Sequence, residues 1–355
     1  MNLYIYTMTK IIVINKNFNK NFLMKILFII MLILSTLITI NSSSWFNAWM
    51  GMEMNLMFFL PLMINKFKKM KISNSMMIYF IIQAGTSSMM FMLIILMKMM
   101  FFNKMMMLMN IIQMSLLMKL GASPFHWWMP KIIKNLNWMN CFILLTWQKI
   151  APMFLLLINN NSMIIYISAM LSVILGAILG INQTMIKLLI TYSSINHLGW
   201  MLMSLMINMK ILLLYFFIYS MINLKICILM NNQKSLYINQ LFNSNQNFIN
   251  KIIMISSFLS LAGIPPLLGF LPKMIMLISM IKNNLFIETM IFIFMSMTSL
   301  SFYINPIISM FILLKINHKW NMKNFYIINY NLSILFMNML IMLIICIPLI
   351  YNLLY

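Results

Sequence analysis

Residues 249–282 read INKIIMISSFLSLAGIPPLLGFLPKMIMLISMIK. The stretch is apolar and longer than the roughly 20 residues a helix needs to cross a bilayer core. Its middle nevertheless carries Gly263, Pro265 and Pro266, with Gly269 and Pro272 close behind. Proline lacks a backbone donor and clashes with the preceding turn, so a helix must open there. Open backbone at membrane depth persists only where protein or water covers it. A second stretch, 105–130, follows the same grammar: Lys119-Leu120-Gly121-Ala122-Ser123-Pro124-Phe125-His126 predicts a break at Gly121 and Pro124. Each break has a lysine beside it, Lys119 and Lys273. Two long apolar segments, each broken and each holding a charge, point to an all-α polytopic membrane protein with two broken helices.

The rest of the chain agrees. Of 355 residues 63% are hydrophobic and 7% charged, with a mean hydropathy of +0.96. A soluble domain carries about a quarter charged residues, and this chain has too little polar surface to coat a soluble globule. Soluble enzymes, secreted disulfide scaffolds and disordered tails are excluded. All 24 basic residues are Lys, and the two acids are Glu53 and Glu288. A net charge of +22 usually raises the question of nucleic acid. In so apolar a chain the lysines read as loop charges that set topology and face anionic lipid headgroups, with no nucleic-acid partner. The absence of Arg and the 48 Met suggest an AT-rich organelle gene, hence a mitochondrially encoded protein. Cys141, Cys227 and Cys346 lack metal-ligand spacing and read as buried hydrophobes.

Scanning for apolar segments between Asn, Ser and Lys clusters gives about eleven predicted spans: 22–41, 45–64, 74–97, 105–130, 137–157, 162–181, 183–208, 210–231, 249–282, 286–314 and 327–351. With the N-terminus in the mitochondrial matrix, fourteen lysines fall in matrix loops (Lys10, Lys16, Lys20, Lys25, Lys66, Lys68, Lys69, Lys71, Lys131, Lys134, Lys234, Lys315, Lys319 and Lys323). Only Lys98, Lys104, Lys210 and Lys282 fall opposite, so the positive-inside rule supports this orientation. Residues 1–21 read as a basic N-terminal extension, with no Arg to suggest a transit peptide and with Met24 as an alternative start. The rest, 22–355, reads as one membrane domain: repeat one at about 22–157, repeat two at about 162–314, then the last helix. The broken spans are five apart and so enter the membrane from opposite sides, as in inverted-repeat transporter folds.

Four ionisable residues sit where a charge is costly: Glu53, Lys119, Lys149 and Lys273. A Lys or acid at a helix centre costs about 2.5–3.5 kcal/mol, so it needs a partner or a wet cavity. Desolvation destabilises the charged form of each. A Glu–Lys pair roughly 6–7 Å apart interacts by roughly 2.5 kcal/mol at an effective dielectric near 20, enough for one charge to switch the proton affinity of the next. That is proton-relay chemistry, as against static ion pairs or lysines resting on carbonyls freed at a break. Lys149 has no predicted break nearby. His197 is a further relay candidate, set among Asn182, Gln183, Ser193, Ser194 and Asn196. His126, next to Trp127 and Trp128, reads as a helix-end anchor, and His318 as surface. The sequence shows no phosphate loop, metal cluster or activated nucleophile, hence no cofactor or metal site. With no Asp it cannot carry the acidic repeat of the mitochondrial solute carriers.

Six segments in order, 49–56 (WMGMEMNL), 119–128 (KLGASPFHWW), 145–152 (LTWQKIAP), 182–184 (NQT), 192–201 (YSSINHLGWM) and 261–273 (LAGIPPLLGFLPK), together resemble the antiporter-like membrane subunits of mitochondrial NADH–ubiquinone oxidoreductase, respiratory complex I, of the insect type. The resemblance runs from about residue 22 to the C-terminus. It implies a proton-translocating subunit built of two five-helix inverted repeats, each with a broken helix, in the mitochondrial inner membrane. It implies that Glu53 pairs with Lys119, that Lys149 is the central relay, and that Lys273 lies towards an exit path or a neighbouring subunit. The implied partners are the other membrane-arm subunits, with FMN, iron–sulfur clusters and ubiquinone held elsewhere in the complex. Departures from the family pattern are Lys131 where an acid often stands, Lys187-Leu188 for Arg-Lys, and Asn305 for Arg. The alternative is a stand-alone secondary cation/proton antiporter; a third is a scaffold whose buried charges are static.

Overall fold

In a computed structural model of the chain, residues 23–64, 69–99, 105–159, 163–242, 248–265 and 267–312 are described. The N-terminal extension 1–21, the span at 327–351, Pro266, His318 and Cys346 lie outside them, as do the loop lysines at 10, 16, 20, 66, 68, 104, 315, 319 and 323.

An apolar chain in lipid satisfies its backbone polar groups by local helical bonds, and the described residues form helices linked by short turns. These are α1 (Leu23–Ile40), α2 (Trp45–Met63), α3 (Lys69–Met99), α4 (Met105–Leu120), α5 (Trp128–Ile133), α6 (Trp138–Leu145) and α7 (Trp147–Ile158). There follow α8 (Met163–Gly180), α9 (Ile186–Ile207), α10 (Met209–Gln233), α11 (Ile238–Phe242), α12 (Phe248–Ala262), α13 (Phe270–Lys282) and α14 (Phe286–Ile312). Among the described residues, six stretches are long and apolar enough to cross a membrane: Leu23–Ile40, Ile72–Met99, Trp138–Ile158, Met163–Gly180, Met209–Gln233 and Phe286–Ile308. Serine and threonine hydroxyls within the helices bond back to carbonyls one turn earlier, as Ser193 does to Ile190 O (2.8 Å) and Ser194 to Thr191 O (2.7 Å). That removes their need for water inside an apolar bundle.

The central helix is α9, buried on nearly every face from Ile186 to Leu205. It packs closely on α8 and also meets α5, α10 and α13. Small residues permit the close approach. A Cβ on Gly176 of α8 would stand 2.5 Å from the Asn196 backbone nitrogen of α9. The N-terminus of α9 is pinned by a short antiparallel bridge between Met185 and Tyr237. There Ile186 N donates to Leu236 O (3.0 Å) and Ile238 N to Thr184 O (3.1 Å), which is why α9 begins at Ile186, later than the expected 183. The outer helices α1, α3 and α14 present large apolar side chains outward, among them Ile30, Ile81, Met92, Met290 and Phe294.

Both expected breaks are present and end in the same way. At the first, Gly121 has φ +69°, Gly121 N donates to Met118 O (3.1 Å) and Ala122 N to Leu117 O (3.1 Å). At the second, Gly263 has φ +82°, Gly263 N donates to Ser260 O (3.1 Å) and Ile264 N to Leu259 O (3.3 Å). This is the Schellman pattern, which needs a residue comfortable at positive φ. The prolines follow, with Ser123–Pro124 in the cis form. The expected span at 137–157 is present as Trp138–Ile158, but it divides at Thr146 (φ −119°, ψ −70°) into α6 and α7, against the expectation of no break near Lys149. Pro152 lies inside α7 and leaves one carbonyl of the preceding turn without its helical donor. Lys149 therefore stands within one turn of an interruption after all.

Candidate proton-relay site

Lys119 is the penultimate residue of α4, placed by the first break. Its own carbonyl accepts from Gln83 Nε2 (3.4 Å), and the neighbouring Met118 carbonyl accepts from Trp128 Nε1 (3.1 Å). The ammonium group is left to face inward, 3.8 Å from Met52 Sδ. Glu53, half-buried one residue beyond Met52 on α2, acts on Lys119 electrostatically. Among the described residues no direct hydrogen bond joins the two. The implied Glu53–Lys119 pair is thus a through-space coupling in this structure.

Lys149 is 1% exposed and among the largest fully buried side chains. Its Nζ lies 3.3 Å from the Tyr219 hydroxyl and 3.5 Å from the Ser194 carbonyl, and 5.0 Å above the Tyr219 ring. One cavity joins Lys119 and Lys149. It is lined also by Asn55, Tyr79, Gln83 and Gln148, and about 20 Å³ of it is open to the centre of a water molecule, against the 10–15 Å³ or so that one water requires. Gln148 Nε2 donates to Asn55 Oδ1 (3.1 Å), which ties α7 to α2 across that cavity.

His197 projects from the middle of α9. Its Nδ1 shares a 2.8 Å hydrogen bond with the Tyr215 hydroxyl, and its ring centroid is 5.2 Å from that of Tyr219. A second, smaller cavity of about 10 Å³ on the same measure is lined by His197, Tyr215, Tyr219, Ser260, Leu261 and Pro272, among others. Beyond it lies Lys273, buried on the first turn of α13, whose Nζ donates to Ala262 O (2.8 Å) and Leu261 O (3.5 Å). Those carbonyls are freed by the second break, so the ammonium of α13 caps the end of α12. His197 feels both Lys149 and Lys273 electrostatically.

Lys119, Lys149, His197 and Lys273 therefore fall in one buried series, with Glu53 at its Lys119 end. His126 does not join it: its ring is half-buried on the first break, with Nδ1 unpartnered. Lys187 sits apart at the start of α9, donating to the Leu136 carbonyl and lying 5.3 Å from the Trp138 ring. Lys131 lies 5.0 Å over Trp127. Glu288 accepts from the Tyr166 hydroxyl between α14 and α8. Among the described residues no cluster of three His, Cys, Asp or Glu is placed to hold a metal.

Sequence reasoning missed Tyr215 and Tyr219. Their spacing of four residues puts both on one helical face, and that signal was present in the span at 210–231.

The profile of the transmembrane family described as NADH:quinone oxidoreductase/Mrp antiporter matches residues 42–301. NADH-ubiquinone oxidoreductase chain 2 of Aedes aegypti is 44% identical over 322 residues, covering 89% of this chain and 94% of the relative. The protein of the same name from Anopheles gambiae is 41% identical over 295 residues, covering 81% and 86%. Among solved structures, a chain of respiratory complex I from Thermus thermophilus has the same fold, with a TM-score of 0.74 at 17% identity over 81% of this chain and 70% of its own. A chain of the Mrp complex from Dietzia gives a TM-score of 0.71 at 11% identity, covering 79% and 59%. Matched by its profile over most of its length and by the two mosquito proteins at more than 40% identity, the chain belongs to the NADH:quinone oxidoreductase/Mrp antiporter transmembrane family, among its NADH-ubiquinone oxidoreductase chain 2 members.

Proposed function

We propose that the chain is a proton-translocating membrane-arm subunit of respiratory complex I, and that it couples NADH:ubiquinone electron transfer elsewhere in the complex to proton movement through a buried relay. Support comes chiefly from the series Lys119, Lys149, His197, Lys273, in which three buried lysines share a single acid, Glu53, at one end. Charges so arranged cannot all be held at once without mutual repulsion in a poorly solvated interior. Neutralising or moving one therefore favours a proton on the next, and the two small cavities offer room for water between them. The relay needs no redox centre in this chain. FMN, iron–sulfur clusters and ubiquinone belong to other subunits, and no metal or cofactor is assigned here.

In this reading about eleven spans form two inverted five-span repeats, near 22–157 and 162–314, with a last helix at 327–351. The N-terminus faces the matrix side of the mitochondrial inner membrane. The partners are neighbouring membrane-arm subunits and inner-membrane lipids.

The test is native-gel separation of solubilised inner membranes, with in-gel NADH oxidation and mass spectrometry of the active band. This chain is expected in that band. Migration alone or in an inactive complex would overturn the assignment in favour of a stand-alone cation/proton antiporter.

A further inference from the structure

The cavity that joins Lys119 to Lys149 and the cavity that holds His197 have no lining residue in common. Lys149 lines the first and Tyr219 lines the second. The polar link across the partition is the 3.3 Å contact between Lys149 Nζ and the Tyr219 hydroxyl. Tyr219 is held for this contact. It is 2% exposed, its ring lies under the ammonium, and its hydroxyl meets the side chains of Ser194 and Asn223. Asn223, 1% exposed and one turn along α10, shares this buried spot. The ring also stands 5.2 Å from that of His197.

We infer that the Tyr219 hydroxyl is the relay group that passes protons between the Lys119–Lys149 cavity and the His197 cavity. The inference rests on the proton-relay reading above and adds a group to it. Charged Lys149 gives a proton to the hydroxyl oxygen, breaking an Nζ–H bond and forming an O–H bond. The hydroxyl's original proton leaves to a water in the second cavity and from there to His197 Nε2. Tyr219 is neutral before and after, Lys149 ends as the neutral amine, and His197 ends as the cation. In the tautomer whose Nδ1 donates across the 2.8 Å contact to Tyr215, Nε2 carries the lone pair that receives it. The new Nε2–H then faces the Leu261 carbonyl, which Lys273 also contacts at 3.5 Å.

The experiment uses the whole complex in proteoliposomes, comparing wild type, Tyr219→Phe, Tyr219→His and Lys149→Met per amount of assembled complex on native gels. Phe keeps the ring and its contact with the ammonium but has no exchangeable proton, whereas His restores one. Positioned proton transfer contributes about 10²–10⁴-fold. Tyr219→Phe is therefore expected to lower ubiquinone-linked turnover and proton uptake together by about 10²-fold, with NADH oxidation by a soluble artificial acceptor unchanged. Tyr219→His is expected to recover a substantial part of the loss. Wild-type rates in Tyr219→Phe beside an impaired Lys149→Met would overturn the role of Tyr219 and leave the relay standing. Equal impairment in Phe and His, or failure of the Phe variant to assemble, would make the hydroxyl a packing group and also overturn it. An unimpaired Lys149→Met would remove the relay reading itself.

Discussion

Gly263 carries the tightest constraint at the second break. Its φ of +82° favours glycine, and an added Cβ would stand 2.9 Å from Lys273 Nζ. An alanine there costs about 1–2 kcal/mol in backbone strain and pushes the ammonium off the Leu261 and Ala262 carbonyls. Gly263→Ala is expected to reduce both assembled complex and turnover per complex, measured by native gel and NADH:ubiquinone activity. Gly85 in α3, with open space around its Cβ position, is the control: Gly85→Ala should assemble as well as wild type or better, by up to about 1 kcal/mol. Residue by residue, the sequence was most legible where physics makes a group expensive. Glu53, Lys119, Lys149 and Lys273 stood out from insertion cost alone, and His197 from its polar neighbours. Tyr215 and Tyr219 did not, because a tyrosine in an apolar helix is as easily a packing residue, and only tertiary contact shows which polar tips meet a charge.

Whole helices were legible to different degrees. Gly followed by Pro announced both breaks, and the structure adds that each closes with the same Schellman hydrogen bonds. The interruption at Thr146 was not legible, since neither Gly nor Pro occupies that position and Pro152 lies most of two turns further on. It matters because it places Lys149 beside irregular backbone. The α8–α9 contact could not be read from sequence either, since glycine in a membrane helix fits packing, kinking or neither. Here Gly176 lets α8 rest on the Asn196 backbone, one residue before His197. Overpacking a tight contact costs about 1–3 kcal/mol. Gly176→Ala is expected to lower the thermal midpoint of the assembled complex and to lower turnover by shifting α9. An unchanged midpoint in a thermal-inactivation series would show that this contact is not limiting.

Across the whole molecule, composition alone decided the class, because 7% charged residues cannot coat a soluble surface of this size. Orientation rests on the lysine asymmetry. Lys131 and Lys134, in and just after α5, are expected to face the matrix. Membrane-impermeant amine labelling should therefore modify them in inside-out vesicles and spare them in mitoplasts; the reverse pattern would invert the topology. The buried series either carries protons or only holds helices together. Lys149 is its centre, and Lys149→Met keeps most of the side-chain volume while removing the charge. The decisive measurement is the proton-to-electron ratio of fully assembled Lys149→Met complex in proteoliposomes. A lowered ratio, or pumping and turnover lost together, is the result expected here. A wild-type ratio at wild-type turnover would contradict the relay and leave these lysines as structure.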